Sequence, residues 1–239
     1  MYQPKIYKYL LRQFAELLTE KGSIRIGTFG GFRAMEGFDP ERGDENEGKL
    51  IKSMILEKDT PHTEWPQEMF TNIAIEGAPL IGKHGAKVSL TTDLPDIFMY
   101  CCSMKHDCEL MKSFGADSCV EIFDIQNFGD AISAKMTELN HGYQFFLAEP
   151  CNYSGHEIPF GRKAASHFLK DEKFKHQEEF RFLFFPLTYE ANGELHKAQL
   201  IERPDGGKTF RVYRPYPPIT PVNIVVPELS KYCRINNPA

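Results

Sequence analysis

The segment Phe174–Pro186, FKHQEEFRFLFFP, constrains the fold more than any other in this chain. Its second half is too apolar on both faces for an open surface, so it predicts a strand buried against a core. Successive side chains of a strand point to opposite faces. Read as one strand, the segment puts Gln177, Glu179 and Arg181 on one face, and Glu178, Phe180, Phe182 and Phe184 on the other. An amide, a carboxylate and a guanidinium then share one side of a strand whose other side is greasy.

A strand of that kind needs layers on both sides, and the chain supplies them. Ile6–Leu10 alternates as a short strand. RQFAELLTEKG places Phe14, Leu17 and Leu18 at helical spacing and stops at Gly22, and SIRIGTF resumes with period two. Further strands are predicted near Asn72–Glu76, at Lys87–Leu90, Ile97–Ser103 and Ser118–Ile125, through YQFFLAEPCNYS, and at the edge position Asn223–Val226. Met104–Gly115 predicts a short helix. QNFGDAISAKMTEL predicts an amphipathic one through Phe128, Ile132, Met136 and Leu139, and FGRKAASHFLKD a third.

This irregular alternation predicts a single α+β domain over residues 1–239, with a mixed or mostly antiparallel sheet and flanking helices. Residues 30–72, rich in Gly, Asp and Glu at their start, are expected as a long irregular insertion. Residues 203–239 are expected as a Pro-rich C-terminal extension.

With 239 residues, 41% hydrophobic and 26% charged, the chain has ordinary globular composition. A net charge of −5 argues against non-specific attraction to nucleic acid. Six irregularly spaced cysteines read as reduced thiols of a cytoplasmic protein. The amphipathic start has no signal-peptide core, and no apolar run approaches the roughly 18 residues of a membrane span.

Several chemistries are excluded. There is no P-loop and no Gly-x-Ser-x-Gly elbow. Cys101, Cys102, His106 and Cys108 lack the paired spacing of a zinc site. DPERGDENEG does not fit a calcium loop and reads as a solvated acidic loop, so no metal is expected.

The Gln177-x-Glu179-x-Arg181 pattern has two readings. A water-facing sheet carries such residues as pairs worth a few tenths of a kcal/mol each. A carboxylate beside buried aromatics is instead suited to an electrostatic task. Here the Gln-x-Glu pair resembles the Q/E-x-E motif of the ADP-ribosyltransferase superfamily. The strand, helix, Gly turn and strand of residues 6–28 resemble its entry. The order of Tyr7–Tyr9, Phe38–Glu41, Cys101–Ser103 and Phe174–Arg181 also resembles a group of bacterial and phage proteins, over residues 5–185.

That resemblance implies a sheet split around a cleft and NAD as substrate. It implies transfer of ADP-ribose to a macromolecule, or NAD hydrolysis, in a toxin or phage-defence setting. Glu179 takes the catalytic role, stabilising positive charge on the ribose. Gln177 contacts the acceptor and Arg181 orients Glu179. Ser103, or Tyr100, supports the nicotinamide pocket. The superfamily's first-strand His or Arg is replaced by Tyr7, Lys8 and Tyr9, with Arg25 and Arg33 as further phosphate-binding candidates. The alternative is a non-catalytic nucleotide- or protein-binding module using the same cleft. A metal-dependent nuclease built on the Asp and Glu clusters is a third reading.

Overall fold

The computed structural model describes residues 4–35, 37–39, 41–67, 81–94, 96–139, 143–162, 166–186, 198–202, 208–212 and 219–238. Along the chain these form β1 (Ile6–Leu10), α1 (Arg12–Lys21), β2 (Ser23–Thr28), α2 (Phe29–Met35), β3 (Lys49–Ile55), β4 (Thr60–Pro61), β5 (Ile81–Gly82), β6 (Lys87–Asp93) and β7 (Phe98–Ser103). Then come α3 (Cys108–Ser113), β8 (Ser118–Ile122), α4 (Ile125–Glu138), β9 (Tyr143–Pro150), β10 (Glu157–Pro159), β11 (Glu179–Pro186), β12 (Ala198–Glu202), β13 (Lys208–Val212), β14 (Val222–Val225) and β15 (Cys233–Ile235). The architecture is α+β with mostly antiparallel sheets. Among the described strands, β3 with β10 and β6 with β13 pair in parallel.

The main sheet is organised by β7. One edge of β7 pairs with β11 along its whole length, from Glu179 opposite Ser103 to Phe184 opposite Phe98. Its other edge is shared. Phe98 and Met99 pair with β2, whereas Ser103 pairs with β1. Between those contacts β1 and β2 part. Lys8 of β1 reaches across, its Nζ donating to the Cys101 carbonyl at 2.6 Å and lying 4.7 Å from the Tyr100 ring centre.

Packing follows from the alternation of β11. Phe180, Phe182 and Phe184 join Tyr100 of β7 and Phe128, Ile132 and Met136 of α4 in the larger core. On the other face Leu183 packs with Phe29, Ile97, Met99 and Phe168. Helix α4 packs on the Phe180 face through its apolar stripe, and its N-terminus is capped by Asp124, whose carboxylate accepts from Asn127 N. Helix α3 is capped in the same way by Asp107.

Several expectations require correction. Residues 30–72 are not one irregular insertion, since they hold most of α2, all of β3 and the short β4. Residues 166–168 form only a 3-10 turn where a longer helix was expected, and 163–165 lie outside the described residues. The strand expected at Asn72–Glu76 also lies outside them. Within the C-terminal extension, the edge strand expected at Asn223–Val226 is present as β14 beside β2, and β15 pairs beside β8. All six cysteines are free thiols. Among the described residues no helix is long and apolar enough to cross a membrane.

Candidate functional site

The strand that carries the motif begins two residues later than its pattern predicts, at Glu179 and not Gln177. Residues Glu172–Gln177 form a 3-10 turn, and Glu178 takes a left-handed conformation at φ 42° before β11 starts at Glu179. Gln177 therefore reaches the site from a turn and not from the face of a strand. The junction is pinned by Ser103, whose hydroxyl donates to the Gln177 carbonyl at 2.6 Å and accepts from Lys105 N at 2.9 Å. Tyr153 adds its hydroxyl as acceptor for Glu179 N.

Beneath that junction lies a buried charge network. Glu179 Oε1 accepts from Arg181 Nε at 2.6 Å, and Oε2 is bonded to Lys170 Nζ. Arg181 turns its fork to Glu47, with Nη1 and Nη2 at 2.8 and 2.7 Å from the two carboxylate oxygens, and Nη1 also donates to the His167 carbonyl. Lys170 Nζ donates to Gln177 Oε1 at 3.0 Å and sits 4.6 Å from the Phe174 ring centre. Gln177 Nε2 donates to the Glu41 carbonyl. None of Glu47, Lys170, Gln177, Glu179 or Arg181 is more than 5% exposed.

Two carboxylates against two cations make the network neutral overall, which is what lets it be buried. The two acids differ. Burial pushes the Glu179 carboxyl up, but Arg181 and then Lys170 overcome it and hold the group far below the usual carboxylate range. For Glu47 burial outweighs Arg181, and the neighbouring Glu179 and Asp44 add to it, so its affinity for a proton is raised. Burial and the adjacent Arg181 push the His167 imidazole down to about 4 and keep it neutral.

Six of the ten residues singled out in the sequence meet at one hollow. Tyr7, Lys8, Tyr9, Ser103, Gln177 and Glu179 line a pocket of about 80 Å³, together with Arg42, Glu47, Cys101 and Lys170. Lys8, Tyr9, Phe32 and Arg42 are shared with an adjoining groove of about 940 Å³. Arg25 and Tyr100 line this groove, with Phe14, Leu17 and Phe38. Arg181 stands behind Glu179. Arg33 lines neither cavity and donates to the Glu47 carbonyl at 2.7 Å.

Individual roles are sharper than the motif suggested. Ser103 and Tyr9 brace backbone. Tyr9 donates to the Lys105 carbonyl and accepts from Asp107 N, and burial lifts its phenol to about 12. Tyr7 stacks on His106 at 4.5 Å. The Tyr100 hydroxyl is buried and has no hydrogen-bond partner among the described residues.

Two contributors were not foreseen. The GDENEG run, expected as a solvated loop, sends Asp44 and Glu47 into the interior at 0% and 2% exposure. Lys170 was not singled out at all. Compared with family models, curated proteins and solved structures, the chain matches none.

Proposed function

We propose that the chain binds NAD, or a dinucleotide of the same chemistry, and breaks the nicotinamide–ribose bond, passing ADP-ribose to a macromolecule or to water. The observation that supports this reading is convergence. Tyr7, Lys8, Tyr9, Ser103, Gln177 and Glu179, from distant parts of the sequence, line one hollow. Glu179 is ionised there and fixed by Arg181. A fixed carboxylate stabilises the positive charge that builds on ribose as nicotinamide leaves. The adjoining groove falls within the range of about 300–1,000 Å³ typical of small-molecule sites. Its aromatic and apolar walls suit a base, and Lys8, Arg25 and Arg42 suit a diphosphate.

The test is nicotinamide release from NAD by the wild type and by Glu179→Gln. The variant is expected to lose at least about 100-fold in rate, the scale of a lost electrostatic stabiliser, and because it removes a charge from a buried network its folding at the assay temperature is checked by circular dichroism. Turnover by the variant at the wild-type rate removes the assignment.

A second reading rests on how tightly the site is closed. Both Glu179 oxygens are engaged by buried cations, and about 80 Å³ admits only a few waters. A non-catalytic nucleotide- or protein-binding module needs the groove but no free carboxylate oxygen. Calorimetry that shows NAD binding, with no nicotinamide formed over hours, selects that reading.

A further inference from the structure

Next to the charge network, three segments bring together an imidazole and two carboxylates. Asp44 comes from the loop before β3, His156 from the approach to β10, and Asp171 from the residue after Lys170. One ligand atom of each lies within 4.8 Å of the other two, and among the described residues no other such group of three occurs. Asp44 and His156 are buried and Asp171 is partly exposed.

The His156 ring is oriented by its far side. Nδ1 stands 3.2 Å from the Lys49 carbonyl, which can only accept, so Nδ1 carries a proton. Nε2 is thereby aimed at Asp44 Oδ2, at 3.4 Å. That separation is long for a charge-assisted hydrogen bond, which closes to about 2.7–2.9 Å. It equals the spacing of two ligands on one zinc ion. Bond lengths of about 2.1 Å at the tetrahedral angle put neighbouring donors about 3.4 Å apart. The carboxylates are held as metal ligands commonly are. Asn46 donates its backbone N–H to Asp44 Oδ1 at 2.9 Å and its side-chain amide to Asp171 Oδ2 at 3.2 Å.

We propose that Asp44, His156 and Asp171 form a binding site for a divalent transition-metal ion, zinc first among them. Asp171 needs to close by about 1–1.5 Å from its widest separation to reach bonding distance. Its side chain makes no capping bond to the turn it precedes, so closing requires that its 3.2 Å contact with the Asn46 amide shift with it. Three protein ligands leave a fourth position for water, on the partly exposed Asp171 side. An imidazole with two carboxylates suits zinc or manganese better than calcium or magnesium, which take oxygen donors.

The test uses the whole chain, stripped by chelation and checked by elemental analysis. It is titrated with Zn²⁺ by calorimetry and with Co²⁺ by visible absorption. One equivalent is expected to bind, with the intense d–d bands of a tetrahedral cobalt centre. Asp171→Asn changes a partly exposed residue and leaves the core intact. It is expected to weaken Zn²⁺ at least 10-fold, and His156→Gln to abolish binding. Failure of the wild type to bind either ion overturns the site. Binding left unchanged in Asp171→Asn also overturns it and places the ion elsewhere, such as at the Cys108 thiol.

Discussion

The charges in the interior of this protein stand or fall together. Arg181 is fully buried and divides its guanidinium between Glu179 and Glu47. Only a planar fork can do this, so no lysine replaces it. Arg181→Met leaves Glu47 without its cation and Glu179 with Lys170 alone. We expect a loss of about 3–5 kcal/mol in urea unfolding, the cost of breaking a buried pair from one side. A loss below about 1 kcal/mol would mean that the network does not form. Tyr100 is the opposite case. Its orphaned hydroxyl is penalised by burial, so Tyr100→Phe should be neutral or stabilising by up to about 1–2 kcal/mol in the same assay. Legibility divides along the same line. Glu179 and Arg181 announce themselves because a charged pair inside FRFLFF is chemically incongruous. Glu47 and Lys170 do not, because an acid in an acidic loop and a lysine in FLKDEK look solvated. Only the partners, 134 and 9 residues away, make them internal.

At the scale of elements, local chemistry was readable wherever a local cause sets the structure. Helix α1 ends where Gly22 adopts φ 66°, its amide bonded to the Leu18 carbonyl. The position tolerates nothing larger. A Cβ there would lie 1.8 Å from the Val226 carbonyl oxygen, in the segment after β14 whose amide bonds back to Gly22 O. Gly22→Ala therefore combines left-handed strain of about 1–2 kcal/mol with a backbone clash. We expect it to cost more than 2 kcal/mol by urea denaturation, and a loss under 0.5 kcal/mol would contradict the docking of this turn on Val226. Elements set by distant contacts were less readable. The stretch 160–171, expected as a helix, shows a 3-10 turn at 166–168 among its described residues, and a second such turn over 172–177 brings Gln177 to Lys170, which is itself drawn inward to Glu179. The same pull delays β11 to Glu179, so period two applied from Gln177 gave a correct neighbourhood by an incorrect geometry.

At the scale of the molecule, the sheet's strand order was out of reach of pattern reading. An α+β class follows from alternating periods, but nothing local says that β7 takes β11 on one edge and divides the other between β2 and β1. The far end of the chain is a second example. Glu121 of β8 is fully buried yet receives Lys5 at 2.7 Å, Arg234 Nε at 2.8 Å and Asn236 Nδ2 at 3.0 Å. It therefore clasps the start of β1 and the strand β15 to one point. Burial alone would raise the Glu121 carboxyl, but Lys5, Arg234 and Asn236 together bring it below its ordinary value. A carboxyl with a lowered folded value adds stability that is complete above its unfolded value near 4.5 and is lost as pH falls through the folded one. Glu121→Gln keeps the shape and removes that dependence. The wild type should thus exceed the variant in thermal midpoint at pH 6–7, and the gap should close as the pH is lowered through 4 toward 2. Glu179 is buried with its own cations and is common to both proteins, so subtracting the two curves isolates the clasp. A gap that stays constant with pH would show that Glu121 holds the two termini by shape alone and not by charge.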